Sequence, residues 1–407
     1  MLSVERAYSV ILGRAKGRMA PILHKSLGSI GGHALAQDIV AESYVPAFDN
    51  SAVDGYAVCA DDLTTAHEKH PIRLNVQFTS VAGSGVPSAI GPGLATRILT
   101  GAPVPEGATA IIMQEDVTLL DSKTIEIRES LEVGAHIRRR GADVAVGDVV
   151  VPTGMRCGPA EMAAAAACGL SQVAVRQKTR VAIITTGDEI VDPAESSTLL
   201  FGQIYNSNRY CLTQLVQDAD AEVVLVIHCR DDFEATCDAL KQAEESGADV
   251  IVCAGGVSVG DRDFVRTAIE KLGEMLLWKV AMKPGKPLAF GQIGTSLVFG
   301  LPGNPASVMV TFELFVRPTL LCISGHTKFE RPTVQATLMD KIDHVPGRRE
   351  YVRAHTSWHA GKFETVTTGT QGSGRIKSLL GANCLIVVSE TTGDVVEGDI
   401  VDVILMQ

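Results

Sequence analysis

Short apolar segments rich in β-branched residues alternate with helical segments between residues 180 and 325. In order, they are VAIITT from Val181, a predicted helix over 208–219, VVLVIH from Val223, a predicted helix over 233–246, VIVCA from Val250 and a predicted helix over 263–272. Strands that alternate with helices form βαβ units, in which the strands run parallel. The fold class is therefore predicted as α/β, with a doubly wound, mostly parallel sheet. Ligands of such sheets bind beyond the carboxyl ends of the strands.

Polar motifs follow the predicted strands at these ends. They are TGDE (186–189), RDD (230–232), GGVSVGDRD (255–263) and LPGNP (301–305). Glycine turns let backbone N–H groups approach an oxyanion closely, and nearby lysines in KPGKP (283–287) add positive charge. Asp261 and Asp263 are candidates for holding a divalent metal that bridges phosphate oxygens. The region predicts a site for a multiply charged, phosphorylated ligand.

Two common nucleotide-binding classes are disfavoured by the same motifs. Asp261 and Arg262 stand where a phosphate loop needs Lys followed by Ser or Thr. No G-x-G-x-x-G follows a predicted strand, which removes the main sequence argument for a dinucleotide-dependent oxidoreductase. The ligand is therefore expected to be an unusual phosphorylated compound.

The remaining segments suggest a multidomain chain. Frequent glycines divide the β-rich residues before 140 into short strands, and alternating strands with glycine turns follow residue 331. The predicted domains are an N-terminal linker region (1–46), an inserted β-rich lobe (47–140), a linker region packing with the first (141–177), an α/β domain (178–326) and a small C-terminal β-barrel (327–407).

Composition limits the partners and the compartment. The formal net charge of −11 disfavours general nucleic-acid binding, because a phosphate backbone would be repelled. The nine cysteines form no C-x-x-C pair, which is typical of reduced thiols in a cytosol. Glu5 and Arg6 interrupt the first apolar run, which predicts an amphipathic helix rather than a signal peptide. No segment is expected to approach the ~20 apolar residues of a membrane span. We expect a cytoplasmic protein with no nucleic-acid or membrane partner.

Eight motifs in one order along the chain then point to a family. They are PAFDNSAVDGYAV (46–58), RILTGAPVPEGATAIIMQE (97–115), IRRRGADV (137–144), TTGDE (185–189), GQIYNSN (202–208), GGVSVGDRDF (255–264), WKVAMKPGKP (278–287) and LPGNP (301–305). With them the chain resembles molybdopterin molybdenumtransferases of the MoeA type, which are related to the E domain of gephyrin. Val53 stands at a position where the family usually has Met. The resemblance covers essentially the whole length.

The resemblance implies the last step of molybdenum cofactor synthesis. In that step molybdate is inserted into adenylylated molybdopterin, the phosphoanhydride is cleaved with Mg²⁺ as cofactor, and AMP leaves. The sulfur ligands of molybdenum come with the pterin dithiolene, so no cysteine cluster is needed. The protein's tasks are to neutralise two anions, to hold Mg²⁺ and to orient the pyrophosphate.

The same resemblance assigns roles residue by residue. The catalytic residues it implies are Asp54, Glu189, Asp231, Asp263, Lys279 and Lys283. The metal ligands it implies are Glu189, Asp231 and Asp263. The substrate-binding residues it implies are Thr100, Asp143, Ser258, Pro302, Asn304, Pro305, Arg353 and Ser373. Both lysines are expected to contact the anions, and the neighbouring acids Asp188, Asp232 and Asp261 are alternatives to the nominated ones.

The resemblance also implies partners and leaves two other functions open. It implies a homodimer with shared active sites, and transient contact with the adenylylating enzyme. One alternative is a pterin-binding or scaffolding protein without turnover, as in gephyrin-like chains; the other is a nucleotide-processing hydrolase that shares only the α/β domain. Residues Arg138–Arg140 are interpreted as an ion-pair cluster between domains rather than a nucleic-acid site. The choice between molybdate and tungstate stays open.

Overall fold

A computed structural model describes residues 1–257 and 264–406 of the chain. The predicted site residues Ser258, Asp261 and Asp263 lie outside these ranges. Within them, the strands form three six-stranded sheets and four two-stranded pairs. The lobe and the α/β domain each contain one large sheet, and the third large sheet joins the five C-terminal strands to the strand Met282–Lys283 of the α/β domain.

The chain begins with helix α1 (Val4–Ala15), in which the Ser3 side chain accepts a hydrogen bond from the Arg6 N–H at 3.2 Å. Its buried face, which includes Ile11, packs into the core of the α/β domain and against the helix that ends that domain. Two short strands follow, β1 (Ile22–Ser26) and β2 (Ile39–Val40). Thus α1 itself belongs to the α/β core, whereas the strands after it have other partners.

A β-rich lobe follows. Its strands are β3 (Asn50–Ser51), β4 (Gly55–Val58), β5 (Ile72–Ser80), β6 (Leu94–Ile98), β7 (Ala110–Met113), β8 (Val117–Leu119), β9 (Thr124–Ile127) and β10 (Ile137–Arg138). Six of them form a sheet in the order β7-β4-β6-β5-β9-β8, while β3 pairs with β10. Tyr56, Leu74 and Ile125 are buried in a core that belongs to the lobe alone.

The chain then returns to the strands that precede the lobe. Strand β11 (Val149–Val151), helix α2 (Pro159–Ala167) and strand β12 (Gln172–Arg176) follow in order. Strand β11 pairs antiparallel with β2, and β12 pairs antiparallel with β1. These pairings hold the two ends of the lobe together, so that the lobe is an insertion.

The α/β domain is built on the second large sheet. Its elements are β13 (Arg180–Thr186), β14 (Ile190–Val191), β15 (Ile204–Tyr205), α3 (Ser207–Asp218), β16 (Glu222–Cys229), α4 (Phe233–Glu245), β17 (Val250–Ala254), α5 (Phe264–Leu272), β18 (Glu274–Trp278), β19 (Met282–Lys283), β20 (Ala289–Ile293) and β21 (Ser296–Leu301). The sheet order is β16-β13-β17-β21-β20-β18, in which the first four strands are parallel to one another and β20 is antiparallel to both of its neighbours, β21 and β18. This confirms the predicted α/β class.

Alternate residues of β13 show that helices cover both faces of this sheet. Val181 and Ile183 pack in the core that contains α3, while Ala182 and Ile184 pack in the core that contains α4 and α5. Successive strand residues point to opposite faces. A continuous apolar strand such as VAIITT is therefore buried on both sides.

A long helical stretch ends the domain: α6 (Pro305–Thr311), a π-helical turn (Phe312–Val316) and α7 (Arg317–Ile323). The whole stretch is long and apolar enough to cross a membrane, but 83% of its most apolar window is buried inside the fold. The expectation that no segment reaches this length was therefore wrong. Glu313 interrupts the run in the sequence, yet it is buried against Arg331 at 3.1 Å and does not interrupt the helix.

The C-terminal strands close into a barrel. They are β22 (Thr333–Leu338), β23 (Arg349–His359), β24 (Lys362–Thr367), β25 (Cys384–Val388) and β26 (Ile400–Leu405). The order β23-β24-β22-β26-β25 is closed by the pairing of β25 with β23, which confirms the predicted small barrel. Strand β19 of the α/β domain adds to β23 from outside, so the barrel is joined directly to the KPGKP segment.

Candidate functional site

A cleft of about 950 Å³ opens at the carboxyl ends of the parallel strands. Thr186 at the end of β13, Ala254 at the end of β17 and Pro302 just after β21 all line it. These strands are neighbours in the sheet, so the loops that follow them share one edge. The position agrees with the one expected from the alternation of strands and helices.

Two predicted acids line the cleft, and both follow strands. Glu189 comes after β13 and is exposed, and Asp231 comes after β16 and is partly buried. The Asp231 N–H donates to Asp188 Oδ1 at 3.3 Å, which ties the two loops together. Asp232 instead caps α4, because its Oδ1 accepts the Ala235 N–H at 2.8 Å. Of the neighbouring acids, Asp232 is therefore occupied as a helix cap.

The predicted metal set is only partly within the described residues. Glu189 and Asp231 share the cleft, but Asp263 lies outside the described ranges. Over residues 1–257 and 264–406, no group of three His, Cys, Asp or Glu side chains is close enough to hold a metal ion. The described donors, two carboxylates, are of the hard oxygen type that Mg²⁺ prefers.

Glycines form the floor of the cleft between β13 and β17. Gly255 has φ +102° and Gly256 has φ +65°, a region that side chains rarely adopt. A Cβ atom on Gly255 would lie 2.6 Å from Thr186 Oγ1 and 3.0 Å from the Thr186 carbonyl oxygen. Only glycine allows this close approach of the two strand ends. The predicted ligand Ser258 begins the segment that the structure does not describe.

The barrel contributes a wall to the same cleft through residues 372–376. Asn304, after β21, donates from Nδ2 to Ser373 Oγ at 3.0 Å, and the Ala306 N–H donates to the Ser373 carbonyl at 3.1 Å. Gly374 and Ile376 line the cleft, as do Pro302, Asn304 and Pro305. The structure thus brings together four of the predicted substrate-binding residues, Pro302, Asn304, Pro305 and Ser373.

Arg353 is placed behind this wall rather than at its surface. It is 1% exposed, and burial lowers the pKa of its guanidinium. Its Nη2 donates to Ser378 Oγ at 3.0 Å and to the Gly372 carbonyl at 3.3 Å. The side chain therefore supports the loop that carries Ser373 from behind, instead of lying at the surface of the cleft.

The two predicted anion-binding lysines have other contacts in this structure. Lys283 Nζ lies 2.8 Å from Glu350 Oε1 on the barrel, and Glu350 Oε2 lies 2.8 Å from His344 Nδ1. Glu350 and His344 are buried, whereas the Lys283 side chain is 45% exposed. Lys279 has φ +69°, and its Nζ lies 3.8 Å from the centroid of the Trp278 ring. Neither lysine is among the described residues that line the cleft.

In the lobe, Asp54 and Thr100 form a pair. Asp54 Oδ1 accepts hydrogen bonds from the Thr100 N–H and from its hydroxyl, both at 2.7 Å. The backbone N–H contributes most and the hydroxyl next, and together they hold the pKa of Asp54 below its usual value. None of the described residues that line the cleft comes from the lobe.

Asp143 and the basic run lie at the root of the lobe. Asp143 is exposed, and its N–H donates to the Val45 carbonyl at 3.0 Å. Arg139 Nη1 and the Arg140 N–H both donate to Asp49 at 2.7 Å. Of these two contacts only that of Arg139 is an ion pair, and Asp49 belongs to the same lobe, so neither contact links two domains.

Comparisons with known proteins agree with this arrangement over nearly the whole chain. Residues 2–169 match the family described as "MoeA N-terminal region (domain I and II)", residues 182–321 match "Probable molybdopterin binding domain", and residues 335–406 match "MoeA C-terminal region (domain IV)". A molybdopterin molybdenumtransferase of Haemophilus influenzae is 36% identical over 370 residues, covering 90% of each chain. A molybdopterin molybdenumtransferase 2 of Mycobacterium tuberculosis is 38% identical over 373 residues, covering 90% of this chain and 91% of the relative.

The chain belongs to the molybdopterin molybdenumtransferase family. A crystal structure of the molybdopterin biosynthesis MoeA protein from Pyrococcus horikoshii superposes with a TM-score of 0.84 at 30% identity and covers both chains completely. The family is one of transferases that act in molybdenum cofactor biosynthesis.

Several residues that line the cleft of this molybdopterin molybdenumtransferase family member were not predicted from its sequence. Thr186, Tyr205 and Asn208 line the cleft but were not nominated, although TTGDE and GQIYNSN contain them. Each lies at an element boundary, at the end of β13 or β15 or in the first turn of α3. Polar residues at the ends of predicted parallel strands were the available signal. No such pattern marks Glu350 and His344 in the sequence. Glu350 links them to Lys283, which lies far away along the chain.

Proposed function

We propose that this chain inserts molybdate into adenylylated molybdopterin, with Mg²⁺-dependent cleavage of the phosphoanhydride and release of AMP. The observation that carries the proposal is the cleft at the carboxyl ends of β13, β17 and β21, with acids at its rim and glycines on its floor. Its volume of about 950 Å³ suits a ligand with two heterocycles joined by a pyrophosphate. The family relationship supports the same assignment.

The chain's own residues divide the work between orientation and charge. Gly255 and Gly256 leave room for phosphate oxygens to approach the backbone where β17 ends. Asn304 and Ser373 hold the barrel loop against the strand loops, so that the ligand is bound between two rigid units. We propose that Ser373 contacts the bound anions, that Pro302 and Pro305 shape the loop after β21 so that Asn304 orients the ligand, and that Arg353 keeps the Ser373 loop in place.

Glu189 and Asp231 are the described residues that would hold Mg²⁺. Their carboxylate oxygens fit this hard cation, and Asp263 is the proposed third ligand. Bound there, the ion would neutralise charge on the pyrophosphate during cleavage. Lys279 is proposed to add positive charge beside the cleft. Its neighbour Trp278 donates from Nε1 to the carbonyl oxygen of Val257 at 3.4 Å, so Lys279 follows a residue that contacts the end of the glycine turn.

We also propose a homodimer in which each site is shared. Asp54 and Thr100 belong to the lobe, and no lobe residue is among the described lining of the chain's own cleft. If these residues take part in the reaction, a second chain must supply them. Asp143 at the root of the lobe would belong to the same half-site. A cytoplasmic location and transient contact with the adenylylating enzyme complete the proposal.

Purified protein incubated with adenylylated molybdopterin, Mg²⁺ and molybdate tests the reaction directly. The expected result is AMP release that depends on both molybdate and Mg²⁺. AMP release without molybdate would support a nucleotide-processing hydrolase. Binding of the adenylylated pterin without any AMP release would support the pterin-binding or scaffolding alternative.

A further inference from the structure

The barrel's wall of the cleft is a chain segment with little apolar anchoring. This wall segment, residues 372–376, lies in the connection between β24, which ends at Thr367, and β25, which begins at Cys384. Gly374 and Ile376 line the cleft, yet four of the five residues of the segment are exposed. Exposed residues gain little from the burial of apolar surface. The position of the wall segment therefore depends on its polar contacts.

The residue just before the wall segment, Gln371, is bound to strand β23 by its side-chain amide. Gln371 Oε1 accepts the Arg353 N–H at 2.9 Å, and Nε2 donates to the Arg353 carbonyl oxygen at 3.1 Å. The same Nε2 donates to the Gly369 carbonyl oxygen at 2.9 Å. Because the backbone N–H only donates and the two carbonyls only accept, these partners fix which end of the amide faces which group.

The amide takes the place that a neighbouring strand would have. Strand β24 pairs with β23 as far as Thr367, which lies opposite Ala354. The Thr368 N–H still donates to the Arg353 carbonyl oxygen at 3.0 Å, and the chain then leaves the sheet. The Arg353 N–H is met by the Gln371 side chain instead. A side-chain amide offers a donor and an acceptor as a peptide group does, so it extends the ladder by one position.

Arg353 attaches the next residue as well. Its Nη2 donates to the Gly372 carbonyl oxygen at 3.3 Å, and the Arg353 side chain is itself buried in the barrel. Two consecutive residues, Gln371 and Gly372, are thus fixed to one residue of β23. On its other side the wall segment contacts the α/β domain, because the Ser373 carbonyl oxygen accepts the Ala306 N–H at 3.1 Å.

We propose that Gln371 is a positioning residue of the cleft. Its side-chain amide holds the start of the wall segment on β23, so that Ser373 and Gly374 keep a fixed distance from the loop after β21. Gln371 acts through the wall segment and not by contact with the ligand. The consequence for ligand binding rests on the proposed function, in which Ser373 contacts the anions, whereas the position of the wall segment does not.

Hydrogen exchange of two backbone amides, followed by NMR, tests the position. Gln371→Met has a similar length but lacks the amide, so the Arg353 N–H loses its acceptor and is expected to exchange about tenfold faster. The Ala306 N–H is also expected to exchange about tenfold faster, because its acceptor is the Ser373 carbonyl of the wall segment. A role confined to the barrel would change the Arg353 amide alone.

A second variant separates the acceptor of the Gln371 amide from its donor. Gln371→Glu keeps an oxygen for the Arg353 N–H but turns the other carboxylate oxygen toward the carbonyls of Arg353 and Gly369, which need a donor. At neutral pH the Arg353 amide is expected to stay protected, while the Ala306 amide exchanges faster than in the wild-type chain. Both variants are expected to fold, because the buried residues of the barrel core do not include Gln371.

The matched control is Gln292→Met. Gln292 Nε2 also donates to a backbone carbonyl, that of Gly294 at 2.9 Å, but it lies at the turn between β20 and β21 and is not among the described residues that line the cleft. The Arg353 and Ala306 amides are expected to exchange at the wild-type rate in this variant. Loss of one side-chain hydrogen bond elsewhere in the chain is thereby separated from loss of the Gln371 contacts.

Molybdate-dependent AMP release tests the consequence for the ligand. Gln371→Met is expected to raise the molybdate concentration that gives half-maximal rate about tenfold and to change kcat by less than about twofold. The reason is that the wall segment contacts the ligand before and during the reaction alike, so its displacement weakens both states equally. Gln292→Met is expected to match the wild-type chain in both quantities.

The outcomes keep this inference apart from the proposed function. Wild-type exchange of the Ala306 amide in both Gln371 variants would overturn the inference. Faster Ala306 exchange with an unchanged molybdate dependence would overturn the role of Gln371 in ligand binding. A wild-type chain without molybdate-dependent AMP release would refute the proposed function, and the exchange rates would still decide whether Gln371 positions the wall segment.

Discussion

The carboxylate of Glu350 shows how one residue joins two domains. It is 3% exposed and lies 2.8 Å from both Lys283 Nζ and His344 Nδ1. Lys283 and Glu350 are also direct partners in the pairing of β19 with β23. In a poorly hydrated environment such a carboxylate is stabilised only while its partners remain. We infer that Lys283 positions the KPGKP segment on the barrel.

Replacing Glu350 by Gln is therefore expected to lower the free energy of unfolding by about 2 kcal/mol, because the hydrogen bonds to Lys283 and His344 lose their charged acceptor while Lys283 remains partly hydrated. Urea denaturation followed by circular dichroism measures this. The control is Glu234→Gln, which breaks the exposed Lys271–Glu234 pair and is expected to change stability by less than about 1 kcal/mol. Equal effects of the two substitutions would contradict a structural role for Glu350.

Asp54 provides a prediction about pH. Its pKa in the folded chain is lowered by the Thr100 N–H and hydroxyl, so its contribution to stability is present above the ordinary carboxyl pKa of about 3.9 and is lost as the pH falls through the lower folded value. Thr100→Val removes the hydroxyl but keeps the N–H, so we expect the pKa of Asp54 to rise part of the way toward its usual value.

An NMR titration of the aspartate carboxyl carbons measures this shift. Asp38 is an internal control, because its pKa is lowered in the same way by the backbone N–H and hydroxyl of Thr153. Its titration should not change in the Thr100→Val variant. An unchanged Asp54 titration would show that the hydroxyl contributes nothing.

Glu189 carries the prediction about catalysis. Because it is exposed at the cleft rim, Glu189→Gln is expected to leave the melting temperature unchanged and to reduce molybdate-dependent AMP release about 10²-fold or more. Glu195→Gln, which removes a nearby exposed acid that is not among the cleft-lining residues, serves as control. Near-normal AMP release by the Glu189 variant would refute its role.

At the scale of elements, the cleft depends on how closely the ends of β13 and β17 approach each other. Gly255 follows β17 directly, and a Cβ on it would lie 3.0 Å from the carbonyl oxygen of Thr186, the last residue of β13. The glycine is required both by its positive φ and by the neighbouring strand end.

These two requirements are separable by substitution. Gly255→Ala is expected to lower the free energy of unfolding by about 3 kcal/mol or more, because it adds a steric clash to the strain of a positive φ. Gly147→Ala has a similar φ of +94° but open space around its Cβ, so only about 1–2 kcal/mol is expected. Thermal denaturation of both variants gives the comparison. A smaller loss for Gly255→Ala would mean that the strand ends move apart easily.

At the scale of the whole molecule, the proposed shared site predicts complementation between inactive chains. Asp54→Ala lies in the lobe and Glu189→Ala in the α/β domain, so a hybrid dimer would contain one site with neither change. Random exchange makes about half of the dimers hybrids with one intact site of two, which gives about a quarter of wild-type AMP release.

The matched control mixes Asp54→Ala with Thr100→Ala. Both changes lie in the lobe, so each site of the hybrid dimer carries one of them and no recovery is expected. Recovery in the first mixture alone would support the shared site. No recovery in either mixture after verified subunit exchange, or a monomeric mass by light scattering, would contradict it and leave the proposed reaction untouched.

The α/β class, and the edge of the sheet at which the cleft lies, could be predicted from the sequence. Both depend on the order of strands and helices along the chain. VIVCA is apolar throughout, and VAIITT is apolar up to its two final threonines, as expected for strands buried on both faces; the helices between them favour parallel strands. TGDE and LPGNP follow such strands directly. Once the strands are parallel, their carboxyl ends meet, and these motifs line one cleft.

Only the tertiary structure decided which partners the individual side chains take. Lys283 and Arg353 are basic residues in family motifs, and nothing in their local sequence distinguishes an anion ligand from a buried support. The pairing of β19 with β23 gives Lys283 the carboxylate of Glu350, and closure of the barrel buries Arg353 behind the Ser373 loop. Burial and pairing depend on contacts between distant segments, which strand and helix patterns do not encode.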